Sequence, residues 1–281
     1  MLITVTLNPS LDRTVSIERW EPGGAIRAAL LDRVPAGKGI NVAVGLAHFT
    51  TGVAALGFVG EAEKPMFTRH LEAVGVTECL TPVAGITREN ITIIDRSLGR
   101  ETHLREEGFQ VLEHEFDNLC HTLEVHLHKA MTRKGRRAAG DPAAEVFYVL
   151  FCGSLPLGIG VEQFVQLIEL CKEHEAVTVV DTNGPALKAA VEAGVSVIKP
   201  NRAEIIELCG GPQGGGKPMD MIRAVSPRVP MVLLTLGEKG ACCVTKQETI
   251  CAVCRLSRSE VVNTVGSGDA FLAGFFGSLI N

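Results

Sequence analysis

Short β-rich runs alternate along the chain with amphipathic stretches of helical length: LITVTL, GINVAVGLAHF, VAALGFV, MFTRHLEAVGV, VFYVLF, GVEQFVQLIELCKEH, AVTVVDT, ALKAAVEAG, VSVIKP, AEIIELCG and MVLLTLG. Strand and helix in strict turn predict βα units, hence a mostly parallel sheet with helices on both faces. The strand runs are continuously apolar rather than alternating, as expected of strands covered on both sides.

Two regions interrupt this rhythm. Residues 13–34 and 88–106 carry polar alternation and Gly turns, and read as hairpin-like strands able to pair into a small second sheet. Residues 129–142, KAMTRKGRRAAGDP, are basic and broken by Gly and Pro, and read as an exposed connector rather than a nucleic-acid patch. No internal repeat is found. The 281 residues are therefore read as one domain, 1–281, with the two interrupting regions as its appendage.

Composition narrows the partners. With 46% hydrophobic and 21% charged residues and a formal charge of −5, the chain has no basic surplus, so nucleic acid and anionic membrane are not expected. The start, MLITVTLNPSLDR, lacks a basic n-region and is broken by Pro9 and Asp12, so it does not read as a signal peptide. Nine cysteines, an odd count, then suggest a reducing cytoplasmic compartment. No apolar run approaches the ~20 residues a membrane span requires.

Candidate chemistry centres on NTVGSGDAF, residues 263–271, where Gly-Ser-Gly and an acid precede an apolar helix. Free N–H groups at a helix start, with the positive end of its dipole, attract an anion such as phosphate. Phosphoryl transfer needs such donors plus a group that takes the proton of the attacking hydroxyl. Gly266, Ser267 and Gly268 suit the first task and Asp269 the second; equally, the glycines could make a turn and the acid favour the helix start.

Other segments add to this. In KPNRAE, Asn201 and Glu204 stand three residues apart at a helix start, able to hold waters of Mg²⁺ or to form a capping box. In LLTLGEKGA, Thr235 and Gly237 at a strand's carboxyl end suit nucleotide phosphates, and Gly240 begins the return strand; a plain hairpin would use the same glycines. Gly37, Lys38 and Gly39 in VPAGKGINVA open a further helix with Asn41 behind them, where a lysine in a glycine turn suits a phosphate. Asp12 can accept two sugar hydroxyls or be a surface-turn acid.

Taken in order, NPSLDR, AGKGINVA, TRENITI, CGSLPLG, VVDTNGPAL, KPNRAE, LLTLGEKGA and NTVGSGDAF resemble the PfkB branch of the ribokinase-like carbohydrate kinases, from residue 4 to the C-terminus. Within that branch the likeness is greatest to the bacterial 1-phosphofructokinase group, through Lys38 and THLREEGFQV, with tagatose-6-phosphate kinases and 6-phosphofructokinases as alternatives. The resemblance implies a three-layer α/β/α ribokinase-like sandwich with a mostly parallel sheet and a small β-sheet lid. It implies in-line transfer from MgATP to a hydroxyl of a sugar phosphate, fructose-1-phosphate first among them, in a cytoplasmic homodimer paired through the lid.

Residue by residue, it makes Asp269 the base and Gly266, Ser267 and Gly268 the anion hole. Asn201 and Glu204 become the Mg²⁺-linked pair, and Thr235, Gly237 and Gly240 meet ATP. Asp12, Gly37 and Asn41 meet the sugar, Lys38 and Arg88 its phosphate, and Arg27 is a lid candidate. Family proteins usually carry further helices beyond the position of Asn281, so an alternative is a sugar-phosphate-binding protein with impaired ATP use.

Three patterns are set aside. GPQGGGKP, residues 211–218, nearly spells a P-loop but puts Pro218 where a Mg²⁺-binding hydroxyl belongs, and is read as a loop. CAVC, residues 251–254, with Cys242 and Cys243 upstream, lacks a second spaced pair and is read as structural or redox-inert thiols. His114, His121 and His128 share a helix stripe without an acid or cysteine at ligand spacing, and are read as solvated or partner-facing.

Overall fold

The computed structural model describes residues 1–135, 146–210, 218–225, 227–253 and 266–280. The chain begins with β1 (Leu2–Thr6), β2 (Ser10–Ile17), β3 (Ala29–Ala36), α1 (Lys38–Ala47), β4 (Val53–Gly60), α2 (Lys64–Glu72) and β5 (Thr77–Val83). It continues with β6 (Glu89–Asp95), β7 (Arg100–Arg105), α3 (Glu113–Gly135), β8 (Tyr148–Cys152), α4 (Val161–Glu173), β9 (Val177–Asp181) and α5 (Gly184–Glu192). The last elements are β10 (Val197–Ile198), α6 (Arg202–Leu208), α7 (Pro218–Val225), β11 (Met231–Thr235), β12 (Ala241–Thr245), β13 (Thr249–Ala252) and α8 (Ser267–Leu279).

Nine strands form the main sheet in the order β13-β12-β11-β10-β9-β8-β1-β4-β5. From β5 to β11 every neighbouring pair is parallel, and β12 and β13 extend that edge as antiparallel hairpins. The apolar strand runs demand cover on both faces, and they have it. On one side Ile3, Val5, Leu56, Val149 and Phe151 pack with α3, α4 and α5 through Leu119, Leu167 and Leu187. On the other, Leu2, Ala55 and Leu150 pack with α1, α2 and α8 through Ile40, Phe67 and Phe276. Each fully buried side chain of this size contributes roughly 1.5–3 kcal/mol.

The two interrupting regions form a second sheet in the order β3-β2-β6-β7, with β2 and β6 parallel at its centre. Its own apolar cluster is small: Val15, Ile17 and Ile93, flanked by Ile26 and Ile91. The fold class is thus as expected, a layered α/β domain with a large mostly parallel sheet and a smaller sheet beside it.

Several local readings change. The connector at 129–142 is helical in its first part, because α3 continues to Gly135, one turn after another of residues without a breaker; residues 136–142 lie outside the described residues. Pro218 is not in a loop but opens α7, a first-turn position where its missing N–H costs nothing; residues 211–217 lie outside the description. Cys251 is not an unpaired thiol. It faces Cys242 across the β12–β13 register and is disulfide-bonded to it, whereas Cys243 points to the other face and Cys254 is outside the described residues. Among the described residues no helix is long and apolar enough to cross a membrane.

Candidate active site

The strand order reverses between β1 and β8, since the chain runs outward from β1 to β4 and β5 on one side and from β8 to β11 on the other. In open α/β sheets such a switch point leaves a crevice at the strands' carboxyl ends. Asn8 after β1, Gly153 after β8, Asp181 at the end of β9 and Lys199 after β10 all lie at that edge. The amino ends of α1, α6 and α8 meet it from outside the strands.

Asp269 is the third residue of α8, whose N-cap Gly266 holds φ at 76°. The carboxylate is buried, 6% exposed, and its Oδ2 accepts a 2.8 Å hydrogen bond from Asn41 Nδ2 of α1. Burial raises its pKa; Asn41 opposes that by stabilising the ionised form, Asp181 adds to it, and Lys38 and Lys199 pull back, leaving the pKa above the usual aspartate value. A carboxylate tuned upward in this way is a better proton acceptor near neutrality.

Next to it lies an ion cluster that the sequence reading did not assemble. Asp181 is fully buried and bridges two ammonium groups, with Oδ1 accepting from Lys38 Nζ at 3.0 Å and Oδ2 standing 3.0 Å from Lys199 Nζ. The second contact is an ion pair off the hydrogen-bond direction, which leaves Oδ2 without a directed donor among the described residues. Burial of Lys38 disfavours its charge, but Asp181, with Glu204 and Asp269 beyond it, outweighs that and holds its pKa above the ordinary lysine value. Lys199 reaches α8 as well: a Cβ placed on Gly268 would lie 3.2 Å from its Nζ. Two cations, one shared carboxylate and the amino end of α8 thus surround the space in front of Asp269, an arrangement suited to an anion.

Toward the small sheet, Asp12 Oδ1 accepts from Ser10 Oγ and from Asn90 Nδ2, each at 2.9 Å. Arg88 spreads over backbone carbonyls, donating to Asn8 O at 3.2 Å and Pro9 O at 3.3 Å. Burial lowers its pKa from the usual guanidinium range, partly countered by Asp12. The same Pro9 crowds Gly37: a Cβ there would lie 3.1 Å from Pro9 Cα and 2.9 Å from Thr6 Cγ2. Asp12, Gly37 and Arg88 therefore gather around the Asn8–Pro9 link between the two sheets. Arg27 is exposed in the connection from β2 to β3.

On the other flank, Asn201 caps α6 by accepting from Ala203 N at 2.8 Å and Glu204 N at 3.0 Å, while Glu204 Oε2 accepts from Asn201 N at 2.8 Å. The capping box is complete, yet Asn201 is exposed and Glu204 half-buried at the strand ends. A parallel bridge sets Asn201 beside Thr235, whose N–H donates to Pro200 O at 3.0 Å. Beyond it a single 3₁₀ turn, Gly237–Lys239, leads to Gly240, where a Cβ would collide with Ala252 O. Gly240 thus has a packing reason of its own, whereas Gly237 is exposed with φ 62° and, among the described residues, nothing within 4 Å of a Cβ placed there.

The structure brings Asp269, Asn41, Lys38 and the α8 turn together at one point, Asn201, Glu204 and Thr235 at a second, and Asp12, Arg88 and Gly37 at a third. Asp181 and Lys199 belong to the segments VVDTNGPAL and KPNRAE, but sequence alone assigns neither a role. The signal for them was an acid ending an apolar strand and a lysine ending the next, both at strand carboxyl ends.

The family model described as "pfkB family carbohydrate kinase" matches residues 6–281. Among characterised relatives, a 1-phosphofructokinase of Rhodobacter capsulatus is 31% identical over 278 residues, covering 97% of this chain and 82% of that protein. One from Xanthomonas campestris pv. campestris is 31% identical over 285 residues, 99% of this chain and 84% of the relative. Among solved structures, the tetrameric inhibited form of phosphofructokinase-2 from Escherichia coli superposes with a TM-score of 0.84 at 26% identity, covering 99% of this chain and 87% of that one. The same Escherichia coli enzyme in complex with fructose-6-phosphate gives 0.81, again at 26% identity.

Proposed function

Because the chain belongs to the pfkB family of carbohydrate kinases, and is thereby an ATP-dependent sugar-phosphate kinase, we propose that it phosphorylates fructose-1-phosphate to fructose-1,6-bisphosphate. The observation that carries the reading is the Asn41–Asp269 hydrogen bond at the amino end of α8, facing the Lys38–Asp181–Lys199 cluster. It sets a buried carboxylate beside positive charge and helix N–H groups, as in-line phosphoryl transfer requires.

In this reading Asp269 takes the proton from the attacking sugar hydroxyl as the new O–P bond forms. Its raised pKa, set by burial, supports that role. The N–H groups of the α8 turn, from Gly266, Ser267 and Gly268, hold the charge that develops on the transferred group. Asp12, Asn41 and the backbone of Gly37 meet the sugar, and Lys38 and Arg88 meet its existing phosphate. Thr235, Gly237 and Gly240 line the nucleotide side.

Mg²⁺ fits the donors available. Asn201 and Glu204 offer hard oxygens at an accessible edge, and Glu204 spends only one carboxylate oxygen on the cap. Such donors hold the waters of a hydrated Mg²⁺. Bound there, the ion would neutralise charge on the ATP phosphates. The small sheet acts as a lid that keeps water from the transfer. Trp20, Leu30, Leu31 and Leu104 expose apolar surface on or next to that sheet, which supports pairing of two lids in a homodimer.

The test is a coupled ADP-release assay with Mg²⁺ across fructose-1-phosphate, fructose-6-phosphate, tagatose-6-phosphate and fructose. The expected outcome is the highest kcat/KM for fructose-1-phosphate. A higher value for either 6-phosphate would overturn the substrate assignment while leaving the kinase reading in place.

A further inference from the structure

Away from the strand ends that carry the reaction, α3 and α4 bring an unexpected trio together. Glu124 and His128 are four residues apart on α3 and so share one helix face. Opposite them stands His174, the C-cap of α4. One potential ligand atom from each of Glu124, His128 and His174 lies within 4.8 Å of the others. Glu124 Oε1 and His128 Nε2 are 3.8 Å apart, and the rings of His128 and His174 meet edge-to-face with centroids 4.7 Å apart. The histidine stripe therefore does have an acid at ligand spacing, and a second histidine that linear spacing could not disclose, 46 residues further along the chain.

His174 is buried, and its Nδ1 lies 2.9 Å from Leu170 O. A carbonyl oxygen only accepts, so Nδ1 carries the proton and the lone pair of the neutral ring sits on Nε2. This is the arrangement that fixes the tautomer and orientation of metal-bound histidines. A carboxylate oxygen and two imidazole nitrogens converging on one point form a set of electron-pair donors that calls for a cation.

We propose that Glu124, His128 and His174 bind a divalent transition metal of the Zn²⁺ class, with water completing the coordination. Two imidazoles and one carboxylate suit that ion by ligand type. Tetrahedral Zn²⁺ holds its ligand atoms about 3.3 Å apart, from bonds near 2.0–2.1 Å. Closing from 4.8 Å falls to His128 and Glu124, whose side chains are 64% and 47% exposed and able to turn. His174 stays anchored through Leu170. The site stands three residues before β9 begins, whereas Asp181 ends β9, so it lies at the opposite edge of the sheet from Asp269. The metal would join the end of α4 to α3.

Free thiols, including exposed Cys209, could also take Zn²⁺, so the measurement must separate sulfur from nitrogen and oxygen ligands. The full chain, stripped with chelator under a non-thiol reductant, is titrated with Zn²⁺ by calorimetry and with Co²⁺ by absorption, as wild type, His128→Ala and Glu124→Gln. Both substitutions are at accessible positions and should leave sugar-phosphate turnover unchanged. The expected result is one equivalent of Zn²⁺, a rise in melting temperature, and Co²⁺ ligand-field bands without a thiolate charge-transfer band. Affinity should fall at least about tenfold in each variant. Absence of binding in the wild type, a thiolate band, or unchanged affinity in both variants would overturn the site.

Discussion

The chain opens two helices with glycine-rich turns, Gly37-Lys38-Gly39 at α1 and Gly266-Ser267-Gly268 at α8, and the two use glycine for different reasons. At α1 the turn is crowded. A Cβ on Gly37 would lie 2.9 Å from Thr6 Cγ2, and one on Gly39 would collide with Thr6 Oγ1 and press on Val5 O. At α8 it is open: among the described residues nothing lies within 4 Å of a Cβ on Gly266, and one on Gly268 meets the Lys199 ammonium alone. The first pair lets a helix dock on β1. The second leaves a space bordered by helix N–H groups, two lysines and a buried acid. Sequence alone reads both as phosphate turns; only packing tells a joint from a cradle.

The largest expected effect follows from the acid that only the α8 turn carries. Asp269→Asn keeps the shape and the contact to Asn41 but removes the proton acceptor, so kcat should fall by about 100-fold or more with sugar-phosphate binding largely intact. Steady-state kinetics beside calorimetry tests this. Retained turnover would strip the open turn of its chemical meaning and leave both turns as packing devices.

Alanine at matched positions separates the two turns directly. Gly39→Ala overpacks a buried contact and should cost about 1–3 kcal/mol in denaturant unfolding. Gly268→Ala meets no rigid neighbour and replaces glycine in a helix, so stability should hold or rise by up to about 1 kcal/mol. Its methyl nonetheless enters the cradle against Lys199, and turnover should fall by roughly tenfold, about 1.4 kcal/mol of transition-state stabilisation. Equal stability losses in the two variants would erase the distinction between the packed turn and the open one.

Local and nearby patterns were legible in the sequence, and long-range ones were not. Continuous apolar runs such as VAALGFV specified the covered parallel strands, and polar alternation at 13–34 and 88–106 marked the second sheet, because both are properties of neighbouring residues. Asp181 was quoted at the end of its strand, but its partner Lys38 is 143 residues away, and the pairing exists only once β9 and α1 share an edge. Cys251 was grouped with Cys254 by C-x-x-C spacing, whereas the hairpin register gave it Cys242. His174 stood outside the histidine stripe until α4 was laid against α3.

Lys38 belongs to the packing turn yet points into the open space, where its Nζ meets Asp181. Its side chain is 39% exposed, and when it is removed Lys199 still stands 3.0 Å from Asp181, so the buried carboxylate keeps a cation. Lys38→Ala should therefore leave stability nearly unchanged and raise KM for the sugar phosphate by about tenfold, the scale of one charge-assisted contact. Binding of unphosphorylated fructose should not change. A matching loss for both sugars would make Lys38 part of the joint rather than of the cradle.

The smallest effect tests whether the two turns act as one site through Asn41. Its amide donates to Asp269 Oδ2 and so stabilises the ionised carboxylate, opposing the upward pull of burial on the pKa. The base works when ionised, so activity is lost as pH falls through its pKa, and the acid limb of kcat/KM should lie above the range of an exposed aspartate. Asn41→Ala removes the opposing hydrogen bond, the pKa rises further, and the limb should move to higher pH. A role confined to holding sugar would instead lower kcat/KM at every pH and leave the limb where it was, which would uncouple the crowded turn from the chemistry of the open one.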